Sequence, residues 1–519
     1  MTKTGAGKTE IGKTAAGRVR SRLRRMALLL AMLLLPGLTA CGNGTQGTGG
    51  STEEELPLIR VSLLVSSEAQ PDLLLVQDRL NELVSPQIGA RIELVPIRMA
   101  DSSSIYLQMT AEGEAPDLML LLSGDGQLPT FVEHHMVLPL DEYLEAYGHD
   151  LANAFSDALP GGVFQGLQYG IPQETNMIGT SAKGFNLSKS ICDAYGIDPE
   201  AIETAEDLEA VFDLIHEKEP QLTILMPETT SSAIADALIP WYDNLTVGPG
   251  VLTESEDGGL TVVCREEQSA VREALETVHR WYEKGFIPRN VNTTDENGAE
   301  MLAAGKCFAA ESASIGAELG GTDYYSVILT EELPLMTTGQ TDLFLWTVSD
   351  QCEYPQLAVA FLNVCCRDSR VSNLLRFGIS GVHYDMLSNG TLDTSKNAGY
   401  SNPWIQFGKA DDICFTAEAY AVSTKTAGVT VPNQLRILYR NWENEISPAY
   451  GFLFDPSELS LQVAACQEVD DTYYYPLYNG TVDPDTELDK YIQALYEAGM
   501  EQVLAEKQHQ LDAWLAEQK

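Results

Sequence analysis

One seven-residue stretch, Pro116-Asp117-Leu118-Met119-Leu120-Leu121-Leu122, constrains the fold more than any other part of the chain. Its large apolar side chains leave neither face polar. The run is also short, and it stops at Ser123-Gly124-Asp125-Gly126, so it reads as a strand buried on both sides. Upstream, Ile59 to Val65 forms a first expected strand, with a polar loop from Ser66 to Gln70. Pro71 then opens a helix carrying Leu75, Gln77, Leu80, Leu83 and Val84 at largely helical spacing. Gly89 closes it, Arg91 to Ile97 reads as a second strand, and Ile105 to Glu112 as a short helix. Strands alternating with helices predict an α/β layered structure built on a largely parallel sheet.

The pattern continues downstream. Tyr169-Gly170-Ile171-Pro172 is extended by its X-Pro bond. A helix with Ile191, Ala194 and Tyr195 ends at Gly196. Thr204 and Asp207 form a box-like N-terminal cap for an amphipathic helix running to Glu219. Gln268 to Gly285 is a second amphipathic helix, and Trp281 falls on its apolar stripe, a core position. Short helices and strands follow at 298–305, 306–310, 343–348 and 354–366, and 485–519 is strongly helical. There is no internal repeat of solenoid or propeller period.

The first forty residues stand apart. Eight Lys or Arg side chains (Lys3 to Arg25) precede the uninterrupted apolar run Met26 to Leu35, and Pro36-Gly37 breaks it, which is the layout of a secretory signal. The run is too short for a stop-transfer helix. Leu38-Thr39-Ala40-Cys41 resembles the bacterial lipobox, which implies a diacylglycerol on the Cys41 sulfur and a mature chain that starts there. Gly42 to Ser51 is almost wholly Gly, Thr, Asn, Gln and Ser, and reads as a flexible tether spanning about 41–56.

Charge and cysteine content exclude several classes. The chain has 32 Lys and Arg against 75 Asp and Glu, a formal net charge of −43. Without the basic leader the body is near −50, about the opposite of what phosphate neutralisation by a nucleic-acid binder needs. It should also stand off an anionic lipid surface. Eight cysteines follow Cys41, without Cys-x-x-Cys or zinc-like spacing and mostly in apolar settings, and are expected as buried thiols. The chain lacks a Gly-x-Ser-x-Gly elbow, His-Glu-x-x-His and a phosphate-binding Gly-rich loop.

Several segments, taken in order, resemble one family. They are the leader and lipobox, Tyr169-Gly170-Ile171-Pro172, Gly305-Lys306-Cys307-Phe308-Ala309, and Leu345-Trp346-Thr347-Val348-Ser349 followed by Ala358 to Asn363. Asn373 to Tyr384, Tyr450-Gly451-Phe452-Leu453-Phe454-Asp455 and the last helix around Ala498-Gly499-Met500 complete the set. The chain resembles lipid-anchored extracellular solute-binding proteins of ABC importers, of the oligosaccharide-binding type, in a Gram-positive subgroup with a characteristic C-terminal region. The resemblance implies a two-lobed, type II periplasmic-binding-protein-like α/β fold. Each lobe would be a mostly parallel sheet flanked by helices, and two or three hinge segments would join them. Residues 57–171 plus 293–343 would form the first lobe, and 172–292 plus 344–519 the second. It further implies a monomer on the extracytoplasmic membrane face that closes on a small solute, an oligosaccharide by preference, and hands it to permease subunits. No cofactor, metal or catalytic residue is expected.

Ligands of α/β sheets sit at the carboxyl ends of strands. That rule selects Ser67 and Glu68 after the first strand, and Ser123 and Asp125 after the third. Glu174 and Asn176 lie at the first expected crossing, and Trp241-Tyr242 follow Ile239-Pro240 in a stretch without a helical stripe. Glu311, Trp346, His383 and Tyr384 complete the candidates by position. Aromatic faces and planar polar side chains are the groups that hold neutral sugars. A sensor or adhesion lipoprotein of the same fold, and a secreted glycan hydrolase working through paired carboxylates, remain the competing classes.

Overall fold

The computed structural model describes residues 56–65, 70–122, 127–156, 158–173, 182–254, 258–315, 324–329, 335–386, 392–393, 399–400 and 446–518. They belong to one compact unit, Leu56–Lys519. The chain begins with β1 (Leu58–Val65), α1 (Leu73–Ile88), β2 (Arg91–Arg98), α2 (Ser102–Glu112) and β3 (Leu118–Leu122). After α3 (Asp141–Tyr147) and α4 (His149–Ala154) comes the short β4 (Ile171–Pro172). A second series follows: β5 (Ala182–Ser188), α5 (Ala205–Lys218), β6 (Thr223–Met226), the hairpin β7 (Val251–Glu254) and β8 (Leu260–Val263), α6 (Ser269–Glu283), β9 (Cys307–Ile315) and β10 (Tyr324–Val327). Then come β11 (Phe344–Val348), α7 (Pro355–Arg367), α8 (Ser369–Phe377) and three C-terminal helices: α9 (Ser460–Tyr478), α10 (Pro484–Ala498) and α11 (Met500–Glu517).

Two separate sheets result, each with its own apolar core. The first has strand order β2-β1-β3-β11-β4, and Leu118 to Leu121 and all of β11 are buried at its centre. Pro172 sits on the outermost strand, where a missing N–H is tolerated. The second sheet has order β10-β5-β9-β6. Behind it Trp281 is fully buried, edge-on to Phe212 at 5.3 Å, with its indole N–H donating to Glu209 at 2.9 Å. The T-shaped contact and the satisfied N–H confirm the core placement read from the helix stripe. The Thr204–Asp207 capping box on α5 also forms as expected. In α1, by contrast, the buried stripe is Val76, Leu80 and Val84, and Leu75 is exposed.

Pairing corrects the expected lobe boundaries. β9 bonds to β5 and β6, and β10 to β5, so β9 and β10 belong to the second lobe rather than the first. β11 bonds to β3 and β4, and α7 packs against α1, α3 and α4, so 344–377 belongs to the first lobe. The C-terminal helices pack on the second lobe. A buried apolar strand looks the same in sequence whichever sheet it joins; only its hydrogen-bond partners decide. The chain therefore lies in the first lobe through β4, in the second from β5 to β10, in the first again from β11 to α8 and in the second in the C-terminal helices, and residues 335–343 form a middle passage between the lobes. Nor are the sheets mostly parallel: β1 runs parallel to β2 and β3, and β9 to β6, while the other pairs are antiparallel.

The middle passage carries a single helical turn, Thr338–Thr341, packed against 159–162 of the first lobe. The approach there requires glycine, since a Cβ at Gly161 would lie 2.4 Å from Thr341 Oγ1. Cys192, Cys264, Cys307, Cys352, Cys365 and Cys466 are buried free thiols, as their apolar settings suggested.

Candidate functional site

A cavity of about 500 Å³ opens on the second lobe beside the middle passage. β5 contributes Lys183 and β9 contributes Glu311. The 3-10 turn Ile234–Ala237 contributes Asp236, and the irregular stretch after it contributes Trp241, Tyr242, Asn244 and Thr246. Arg265 and Tyr474 close one side. Thr337, Gly339, Gln340 and Leu343 form the wall that leads into β11 of the first lobe.

The polar groups form one connected arrangement. Arg265 Nη2 donates to Asp236 Oδ1 at 2.6 Å, and the Tyr474 hydroxyl donates to Asp236 Oδ2. Burial opposes charge on Asp236, but the Arg265 and Lys183 cations and the Tyr474 hydroxyl outweigh it and hold the carboxyl below its usual range. Glu311, 1% exposed, is the opposite case. Burial pushes it up to about 8, the Asp236 and Glu228 carboxylates add to the rise, and the Glu228 N–H (3.2 Å) and Lys183 pull it back only in part. Glu311 is therefore largely a neutral acid at pH 7, able to donate as well as accept.

Lys183 is the group the fold leaves open. Its Nζ lies 4.3 Å from the centre of the Trp241 ring, a cation–π contact, and has no hydrogen-bond acceptor or carboxylate partner among the described residues. Burial lowers its pKa, with Asp236 and Glu311 partly restoring it. The Trp241 indole N–H is likewise buried without an acceptor among the described residues. Two unmet donors thus stand beside two carboxyl groups, an array complementary to a ligand dense in hydroxyls.

Three of the expected residues, Trp241, Tyr242 and Glu311, meet in this cavity. Three others do not, and are corrected. Trp346 is 1% exposed at the centre of the first lobe's core, between β3 and β4, so its ring has no face to offer a ligand. His383 is buried and works as a strut: its Nδ1 accepts the Ile379 N–H at 2.8 Å and its Nε2 lies 3.3 Å from Asp72. Tyr384 is buried edge-on to Phe377. Ser67, Glu68, Ser123, Asp125, Glu174, Asn176 and the lipobox Cys41 lie outside the described residues.

Lys183, Asp236, Arg265 and Tyr474 escaped the sequence reading. A usable signal existed for Asp236, a lone acid inside Ile234-Ala235-Asp236-Ala237-Leu238, because a charge embedded in an apolar run must be matched by something buried nearby. Among the described residues no cluster of His, Cys, Asp and Glu could hold a metal ion.

Residues 85–381 match the model of the bacterial extracellular solute-binding protein family, and the chain belongs to that family. Residues 448–516 match a second model, a domain of unknown function. The chain is 23% identical over 518 residues to a carbohydrate ABC transporter substrate-binding protein of Streptococcus pneumoniae, covering 94% of this chain and 97% of the other. The fold is similar to that of the N-glycan transport solute-binding protein (NgtS) of S. pneumoniae, with a TM-score of 0.72 and 20% identity, covering 89% of this chain and 100% of that one. A structure of the same protein in complex with Man5GlcNAc gives a TM-score of 0.63 at 22% identity, covering 89% and 99%. This is the type II solute-binding fold implied by the family resemblance.

Proposed function

We propose that this chain is the substrate-binding component of an ABC importer, tethered to the extracytoplasmic membrane face through lipidated Cys41, and that its solute is an oligosaccharide. The observation that carries the reading is the cavity. Trp241 and Tyr242 offer aromatic surface, Lys183 and the Trp241 N–H lack acceptors among the described residues, and neutral Glu311 and ionised Asp236 supply carboxyl oxygens. Sugar hydroxyls both donate and accept, so they satisfy such a mixed lining better than a purely apolar or purely anionic ligand does. The cavity borders the middle passage between the lobes, so a ligand touching both sides favours a closed arrangement and shifts the hinge equilibrium toward it. The closed form would then be the state the permease recognises. The named relatives, a carbohydrate importer component and an N-glycan binder, support the same solute class.

Isothermal titration of the purified protein with Man5GlcNAc and a panel of neutral oligosaccharides tests the solute. Binding is expected for at least one sugar, weakened roughly tenfold to a hundredfold in Trp241→Ala through loss of stacking area. A panel in which only peptides bind removes the sugar assignment. Cys41→Ser should move the chain from the membrane fraction to the medium; an unchanged membrane fraction rules out the anchor.

A further inference from the structure

We propose that Lys507 is a positioning residue that moulds the 243–250 loop into the wall of the cavity, and that the C-terminal segment 448–516 braces the binding site from behind. As far as it concerns solute, this rests on the function proposed above. Lys507 lies on α11, is 0% exposed, and does not itself line the cavity. Its Nζ has four backbone carbonyls of one loop within hydrogen-bond distance: Asn244 O at 2.8 Å, Pro249 O at 3.0 Å, Gly248 O at 3.1 Å and Gly250 O at 3.5 Å. An ammonium has three N–H bonds, and here each has an acceptor. Nearby, the Asp243 carboxyl accepts the Leu245 N–H at 2.8 Å and the Ser447 hydroxyl at 2.5 Å; burial raises its pKa, and those two hydrogen bonds and Lys507 oppose the rise.

The loop needs an outside hold. Leu245 and Thr246 are left-handed, with φ of 55° and 80°, a conformation that side-chain-bearing residues keep only when their surroundings impose it. Carbonyls converging on one point repel each other unless N–H donors sit between them, and Lys507 supplies those donors, with burial lowering its pKa to about 7 and Asp243 restoring it only in part. α11 also lies against the loop closely enough that a Cβ at Gly250 would come 2.3 Å from Leu504 Cδ2. Asn244 and Thr246 face the cavity from the other side of the same backbone. Two further contacts follow the same plan: Tyr474 donates to Asp236, and Asn479 Oδ1 accepts the Ile234 N–H at 3.0 Å, holding the turn that carries Asp236. The C-terminal helices thus reach both segments of the cavity wall.

The test compares Lys507→Met with Leu208→Ala, a core truncation on α5 that destabilises the same lobe away from the loop. Amide hydrogen exchange is read by mass spectrometry, and Man5GlcNAc affinity by titration. In Lys507→Met, exchange across 243–252 should accelerate roughly tenfold or more relative to the wild type, first-lobe peptides should be unchanged, and affinity should fall in parallel. Leu208→Ala should lower the melting temperature without either local effect. If Lys507→Met does not accumulate as folded protein, Lys507→Gln, which keeps two N–H donors, should show an intermediate acceleration in the same peptides. Loop exchange in the Lys507 variants equal to wild type, or no faster than in Leu208→Ala, overturns the proposal; so does accelerated exchange with undiminished affinity. A wild type that binds no sugar removes the solute reading instead, and the exchange comparison alone then decides the brace.

Discussion

The two lobes bury different chemistry. The first is built on apolar runs such as Leu118 to Leu121 and Phe344 to Val348, and among the described residues it buries no Asp, Glu or Lys. The second buries Asp243, Glu266, Glu311 and Lys507, and the middle passage buries Asp342. Hydrophobic residues of the same size would fold as well or better at such positions, because desolvating a charge costs several kcal/mol unless it is matched. Buried titratable groups gathered on one lobe, one of which (Glu311) lines the cavity, mark that lobe as shaped by a demand other than stability. The aromatic residues divide the same way: Trp346 in the first lobe is packing, and Trp241 in the second lines the cavity.

The largest effect should come from the first lobe. Trp346→Ala removes a side chain 1% exposed at the sheet centre and should destabilise by about 3–5 kcal/mol, measured by denaturant unfolding. Sugar affinity of the protein that remains folded should stay within about twofold of wild type, because the ring does not reach the cavity. The opposite result, stability kept and affinity lost, would break the division between lobes. Next in size is Asp236→Ala, which strips Arg265 and Tyr474 of their partner and leaves Lys183 with less countercharge. The Arg265–Asp236 side chains keep 24% and 22% exposure, so the loss should be about 2 kcal/mol, under the 3–5 kcal/mol of a fully buried pair. Unlike Trp346→Ala, it should weaken sugar binding as well.

What could be read from sequence follows the same division. The first lobe's strands, the capped α5 and the Trp281 stripe depend on local pattern, and they stand where the pattern put them. The assignment of β9 and β11 to lobes depends on pairing partners more than a hundred residues away, which local pattern does not encode. The site divides likewise. Trp241 and Tyr242 stood out because an aromatic pair followed a proline without a helical stripe. Lys183 sits inside the strand Ala182–Ser188, and Arg265 and Tyr474 enter only because the β8–α6 connection and α9 fold back over the turn at Asp236. Trp346 misled because the middle passage ends just before it, and its strand then turns the ring into the core.

The sharpest test of charge burial is Glu311→Gln, and it is also the smallest in size. In the unfolded chain the carboxyl titrates near 4.5; in the folded lobe burial raises it to about 8. Between those values the folded state holds a proton that the unfolded state has released, so the group's contribution to stability is full below pH 4.5 and is lost as pH rises through 8. Glutamine keeps an oxygen for the Glu228 N–H and cannot ionise, so its stability should not carry this slope. The stability difference between variant and wild type should therefore move in favour of glutamine by on the order of 1 kcal/mol between pH 6 and pH 7. Asp470, raised to about 6 by burial, produces a similar slope at lower pH, but it is common to both proteins and cancels in the difference. Parallel curves for the two proteins across that range would mean that Glu311 is solvated and ionised at neutral pH, and it would then drop out of the buried acids on which the comparison with the first lobe rests.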